Sequence, residues 1–193
     1  MDDAILVLLI IILILLTVII IIILWPTIHT FFSSKLKKNK YDKLGKSSQI
    51  RLINQLRETV EYLSKHKIGA LITIENTENI DNLRTDGVVL DANISSSLLI
   101  SIFNKESPLH DGAVVIRESR IYYAATFYKI TSKSVNADYG SRHRAAIGIS
   151  EQSDAVTIVV SEENGSIRFM KRSSIEIIKM NEFQEQLIKY LKE

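Results

Sequence analysis

The sequence predicts an α/β protein: a mixed β-sheet covered by helices on both sides, preceded by one transmembrane helix. Three observations predict it. Residues from Ala4 to Trp25 carry no charge and are almost all Ile, Leu and Val. Downstream, short runs rich in β-branched residues alternate with stretches whose apolar positions recur every three or four residues. The strand runs are almost continuously apolar, the pattern of strands buried on both faces, so helices are expected over each side of the sheet.

The 22 residues from Ala4 to Trp25 match the roughly 20 that cross a ~30 Å hydrocarbon core as a helix. A cleaved signal peptide would begin with basic residues, run shorter and end in small ones. Here the start is Asp2-Asp3 and Trp25-Pro26 follows the run, so residues 1–28 are expected to be an uncleaved, single-pass anchor. Basic residues beside a span stay cytoplasmic, and Lys35, Lys37, Lys38, Lys40, Lys43 and Lys46 follow it against Asp42 alone. The domain beyond about residue 30 is therefore expected on the cytoplasmic side of the cell (plasma) membrane, with Trp25 and Phe31-Phe32 in the interfacial belt.

The net charge of +2 hides a split: residues 29–67 hold ten Lys and Arg against three acids, which leaves −3 over residues 68–193. The basic linker, residues 29–46, suits anionic lipid headgroups. A nucleic-acid surface is the competing reading of such a patch; the adjacent anchor decides for lipid, and no nucleic acid is expected as a partner. The chain has no cysteine, which excludes a disulfide framework, a thiolate metal site and a cysteine nucleophile.

Within residues 47–67, Ile50, Ile53, Leu56, Val60 and Leu63 form one apolar stripe and predict a helix, with Ser47 or Ser48 as its cap and Gly69 beyond its end. Such a stripe packs on its own domain or makes a short coiled-coil contact with a second copy; with only two heptads, packing is favoured. One domain over residues 68–193 follows. Strands are expected at 70–74, 87–90, 113–116, 121–125, 155–160 and 167–170, the last preceded by the turn Glu163-Asn164-Gly165-Ser166. Helices are expected over Ser95–Phe103 and Arg142–Ile149, with a final amphipathic one from Ile175 to Leu191.

Two segments carry the chemistry. Leu109-His110-Asp111-Gly112-Ala113 places an imidazole and a carboxylate at the mouth of an apolar strand; Ser141-Arg142-His143-Arg144-Ala145-Ala146 packs two guanidiniums around a second imidazole at a helix start. A carboxylate and an imidazole can hold a metal or take a proton. Gly140-Ser141 supplies a turn and a cap, so free N–H groups and the positive end of the helix dipole favour an anion there. Small residues Ala145, Ala146 and Gly148 allow close approach of backbone or ligand. Gly45-Lys46-Ser47 is not a P-loop, because Lys40 stands where its first glycine belongs and no strand precedes it. Nor is His110-Asp111 a helical His-Asp metal pair: a strand begins at Ala113, and the other histidines are too few and too distant for a cluster.

On these residues the chain resembles the diadenylate cyclase (DAC) domain family, more narrowly its membrane-bound bacterial members. The two signature motifs are matched by Asp111-Gly112-Ala113 and Arg142-His143-Arg144. The likeness runs from Gly69-Ala70-Leu71-Ile72 through Leu90-Asp91-Ala92, Pro108-Leu109-His110 and Ala145-Ala146-Ile147-Gly148-Ile149-Ser150 to Val159-Val160-Ser161-Glu162-Glu163. The usual membrane-bound form has three membrane helices, whereas this chain resembles the single-helix variety of mycoplasma-like bacteria. Where the family often has a Leu-Pro after Tyr128, this chain reads Lys129-Ile130-Thr131-Ser132-Lys133.

The resemblance implies that two ATP molecules condense into cyclic di-AMP with release of two pyrophosphates. It implies a catalytic Asp111-Gly112-Ala113, with Asp111 activating the 3′-hydroxyl, and ATP held by Tyr128, Ser141, Arg142, His143, Arg144 and Ser161. It also implies a Mn²⁺ or Mg²⁺ ion on His110, Asp111, Glu162 and Glu163; a His ligand tilts the preference toward Mn²⁺. A domain of this size offers one ATP site, so a face-to-face homodimer or higher oligomer is expected. The alternative is a catalytically silent, membrane-tethered sensor of ATP or cyclic di-AMP.

Overall fold

The computed structural model describes residues 2–36, 39–135 and 139–193. Lys37 and Lys38 of the basic linker lie outside them, as do the side chains of residues 27–36, Phe31, Phe32 and Lys35 included. Two units are distinguished, Met1–Lys38 and Asn39–Glu193.

The first unit is one helix, α1 (Asp2–Leu36). Its stretch Ile5–Pro26 is long and apolar enough to cross a membrane, and none of it is buried against protein. Large apolar side chains from Ile5 to Trp25 stand 45–66% exposed. An all-round apolar helix of this kind satisfies its backbone internally and suits hydrocarbon. Pro26 lies inside the helix instead of ending it.

The second unit begins with the short helix α2 (Lys40–Lys43) and the long α3 (Lys46–Lys65). There follow β1 (Ala70–Ile74), a 3₁₀ turn (Asp81–Leu83), β2 (Arg84–Thr85), β3 (Val88–Asn93), α4 (Ser96–Phe103), β4 (Ala113–Arg117) and β5 (Arg120–Tyr128). The chain ends with α5 (Ser141–Gln152), β6 (Val156–Val160), β7 (Ile167–Lys171), β8 (Ser174–Ile178) and α6 (Phe183–Lys192). The strands form one mixed sheet in the order β2-β5-β4-β1-β6-β7-β8, with β3 also on β5. The central pair β1/β4 is parallel, Ile72 facing Val114, and β1/β6 is antiparallel, Ile72 facing Ile158.

Because side chains alternate along a strand, the sheet divides the interior into two cores. Ile72, Val114, Ile116 and Ile158 pack with Leu56 and Leu63 of α3, Phe103 of α4 and Phe183 and Leu187 of α6. Leu71, Val115 and Val159 point the other way, onto Ala146 and Ile149 of α5. The α3 stripe thus packs on its own domain: Ile53, Leu56, Val60 and Leu63 are all buried, while Ile50 is 62% exposed. Its N-cap is Gly45, not a serine, and makes no side-chain bond. Ser95 does cap α4, accepting from Leu98 N at 3.5 Å.

Two departures from the sequence reading concern β7–β8. The final helix begins at Phe183, not Ile175; residues 174–178 are β8, paired with β7. The two are joined by Arg172-Ser173, both with positive φ (46° and 68°), as a two-residue type I′ hairpin requires. The β4–β5 hairpin uses Glu118-Ser119 in the same way (49° and 65°).

At the far end of β1, Glu75 is fully buried. Arg117 donates to both its carboxylate oxygens at 2.8 Å and Lys40 donates at 2.6 Å. Arg117 also reaches Asp81 at 2.7 Å. Burial pushes the Glu75 carboxyl up, but the hydrogen bonds from Arg117 and Lys40 outweigh it and hold the group below the usual carboxylate range.

Candidate active site

Asp111 sits exposed in the loop that leads from α4 into β4. Its position depends on the next residue. Gly112 has φ +103°, and a Cβ there would lie 2.7 Å from the Thr126 carbonyl oxygen and 2.9 Å from the Ala125 carbonyl carbon. The loop can press this close because β5 bulges opposite it: the β4/β5 register shifts after Ala113, and Ala125 has φ 52°. Asp111 thereby stands at the wall of a cavity of about 280 Å³ that also takes in Leu71, Phe127, Tyr128, Ile130, Ser141 and Arg142.

Helix α5 starts from Gly140 as its N-cap, so Ser141 is its first helical residue and not the cap. Arg142 and Arg144, two positions apart, project about 200° from one another around the axis. Arg142 faces the cavity, and its Nη1 donates to Glu162 Oε2 at 3.0 Å; its Nε is buried without a partner. Arg144 is exposed, and its Nε donates to the Tyr139 carbonyl at 3.0 Å. His143 turns inward. Its ring stacks on Tyr139 (centroids 5.1 Å, 13°), and Arg168 Nη1 lies 3.1 Å from its Nε2. Burial, reinforced by the Arg168 charge, pushes its pKa down to about 4. At neutral pH His143 is uncharged, so Nε2 accepts the Arg168 hydrogen bond.

Two smaller pockets adjoin Arg142. One, of about 150 Å³, is bounded by Gly69, Phe103, Lys105, His110 and Glu162. Gly69 leaves room for the ion pair: a Cβ there would lie 2.8 Å from both Arg142 Nη1 and Glu162 Oε2. His110 Nδ1 is 2.6 Å from the Ser107 carbonyl, which can only accept; Nδ1 therefore carries a proton, and Nε2 is the ring nitrogen left for a ligand. The other pocket, of about 40 Å³, lies among Gly140, His143, Ser161, Glu162 and Glu163. Ser161 is occupied by the β6–β7 turn, its hydroxyl accepting from Glu163 N at 3.3 Å.

The structure thus brings Asp111, Gly112, Ala113, Tyr128, Ser141 and Arg142 to one cavity. It sets His110 and Glu162 in the second pocket and His143, Ser161 and Glu163 in the third; Arg144 lines none of the three. Tyr128 is 7% exposed, its hydroxyl is buried without a partner, and burial raises its pKa. Phe127 and Ile130, 43% and 55% exposed, line the same cavity beside it. Sequence reasoning missed both; the signal for Phe127 is an aromatic on the solvent phase of an otherwise buried strand. Among the described residues no three His, Asp or Glu side chains converge on a metal position.

The model of the family described as DAC, DisA bacterial checkpoint controller nucleotide-binding, matches residues 57–175. The chain belongs to this family. It is 38% identical over 148 residues to the diadenylate cyclase of Mycoplasma pneumoniae, covering 75% of this chain and 73% of that one. It is 45% identical over 117 residues to the cyclic di-AMP synthase CdaS of Bacillus subtilis, covering 61% and 56%. The crystal structure of a double mutant of DacA from Staphylococcus aureus superposes with a TM-score of 0.72 at 37% identity, over 75% of this chain and 98% of that one.

Proposed function

We propose that this chain condenses two ATP into cyclic di-AMP with release of two pyrophosphates, one ATP on each of two subunits brought face to face. The observation that carries the reading is Asp111, an exposed carboxylate on a cavity with apolar walls on one side and Arg142 on the other. Leu71, Phe127 and Ile130 suit an adenine ring. Arg142 and the free N–H groups at the start of α5 suit the α-phosphate. The relatives named as diadenylate cyclases and cyclic di-AMP synthases support the same substrate and product.

In this reading Asp111 takes the proton of a 3′-hydroxyl as its oxygen attacks the α-phosphorus of the other ATP. Each chain supplies one such cavity and one Asp111, and closing the ring takes two bonds, so two copies must meet. His110 and Glu162, with Asp111 and Glu163 as further oxygen donors, would hold a Mn²⁺ or Mg²⁺ ion. The donor chemistry fits: the free Nε2 of His110 and a carboxylate share one pocket, and nucleotide phosphate would complete a set that falls short of three side chains. Such an ion supplies charge neutralisation on the phosphate oxygens. The apolar helix anchors the enzyme in the plasma membrane with the catalytic domain in the cytoplasm.

The test is Asp111→Asn in the full chain. Cyclic di-AMP formation from ATP is expected to fall at least ~100-fold while ATP affinity is kept. Full activity would remove Asp111 from the mechanism, and a wild-type chain that binds ATP and leaves it intact would mark a silent sensor.

A further inference from the structure

The reaction forms a bond from the 3′-oxygen to the α-phosphorus and breaks the one to the bridging oxygen. The electron pair departs on that oxygen, and the hydroxyl proton goes to Asp111. A highly charged pyrophosphate must then be received beyond Arg142. We propose that it is received in the pocket between Gly69, Phe103 and His110, with Lys105 as its cation; this rests on the cyclase reading.

Two pockets adjoin the nucleotide cavity through Arg142, and charge and size decide between them. The smaller, about 40 Å³, holds the same Arg142–Glu162 pair and adds the exposed carboxylate of Glu163; the imidazole beside them, His143, is neutral. Its one uncompensated side-chain charge is therefore negative, and its volume is too small for a pyrophosphate. The larger, about 150 Å³, contains one acid, Glu162, already neutralised by Arg142 at 3.0 Å. The ammonium of Lys105 makes no ion pair or hydrogen bond among the described residues and gives this pocket its surplus positive charge. Ile68 and Phe103 line it as well, and apolar walls strengthen an electrostatic contact by lowering the local dielectric.

Lys105 is also well placed to serve without disturbing the fold. It stands in the turn after α4, which Asn104 fixes from both its groups: the carbonyl accepts from Ser107 N at 2.8 Å, and Oδ1 accepts from Glu106 N at 3.0 Å. The backbone is held while the exposed side chain is spent on nothing else.

Calorimetric titration of inorganic pyrophosphate, as its magnesium salt, into the full chain in nanodiscs tests the assignment. Lys105→Met is expected to weaken pyrophosphate and ATP binding about 10-fold, the scale of one charge-assisted contact. Cyclic di-AMP, which lacks the departing phosphates, should bind unchanged, and Lys105→Arg should restore pyrophosphate binding. Unaltered pyrophosphate affinity in Lys105→Met overturns the proposal, as does an equal loss for pyrophosphate and cyclic di-AMP. No turnover is needed: pyrophosphate binding that depends on Lys105 in a chain making no cyclic di-AMP supports the pocket and sinks the cyclase reading alone.

Discussion

Replacing Gly112 by alanine strikes the join between fold and site. At φ +103° a side chain costs about 1–3 kcal/mol in backbone strain. The added methyl meets backbone at 2.7, 2.9 and 3.0 Å, atoms of β5 that cannot swing aside, and such overpacking costs a further 1–3 kcal/mol or so. The sum, about 2–6 kcal/mol, corresponds to a fall in Tm of roughly 4–24 °C for a unit of this size. Differential scanning calorimetry of the full chain reads it directly. Relief can come only by moving the loop, which carries Asp111 with it, so cyclic di-AMP formation should drop as well. Gly45→Ala is the control: φ is −61° and nothing lies within 4 Å, so a change within about 1 kcal/mol is expected for this cap position. A Gly112→Ala protein with wild-type Tm and activity would refute the claim that this glycine sets the loop.

Two further predictions follow from the charges. Glu75→Gln leaves Arg117 and Lys40 without their buried partner and should cost about 3–5 kcal/mol at pH 7 by urea denaturation. The wild-type contribution is present above the ordinary carboxylate pKa and lost as pH falls through the lowered folded values. Asp81, which burial pushes up but Arg117 pulls down to about 2, marks the lower end. Wild type should therefore lose stability between about pH 4.5 and 2, and the Gln variant should show a shallower decline over the same window. Arg142→Ala should weaken ATP binding about 10- to 100-fold, whereas Arg144→Ala, on the other side of α5, should change it less than about fivefold, the scale of an exposed charge. Titration with a non-hydrolysable ATP analogue separates the two.

Composition and spacing make the long apolar helix, the central strands and both motifs legible, because each depends on a local pattern. The hairpins did not announce themselves. Glu118-Ser119 and Arg172-Ser173 adopt positive φ without glycine or asparagine, so nothing in the sequence marks the second as a turn, and Ile175 and Ile178, three apart, mimic a helix start. The Arg142-His143-Arg144 triplet reads as one cluster on paper, but a helix turns 100° per residue and sends the three side chains to three different neighbours. Lys40 counted as a linker charge until the fold laid it against Glu75, 35 residues on. Lys105 and Phe127 reach the site through tertiary placement, to which periodicity is blind.

One helix does two jobs in this fold. Among the described helices of the second unit, α5 supplies the buried residues of the second core through Ala146 and Ile149, and the same helix carries Arg142. Its contact with the segment before it is so close that a Cβ on Gly148 would lie 2.1 Å from the Lys129 carbonyl oxygen. Local opening of this helix would uncover the smaller of the two cores and displace Arg142 in one event. Stability and the placement of Arg142 are therefore not separately adjustable on this face, and its amide protons should exchange only when the cavity itself comes apart.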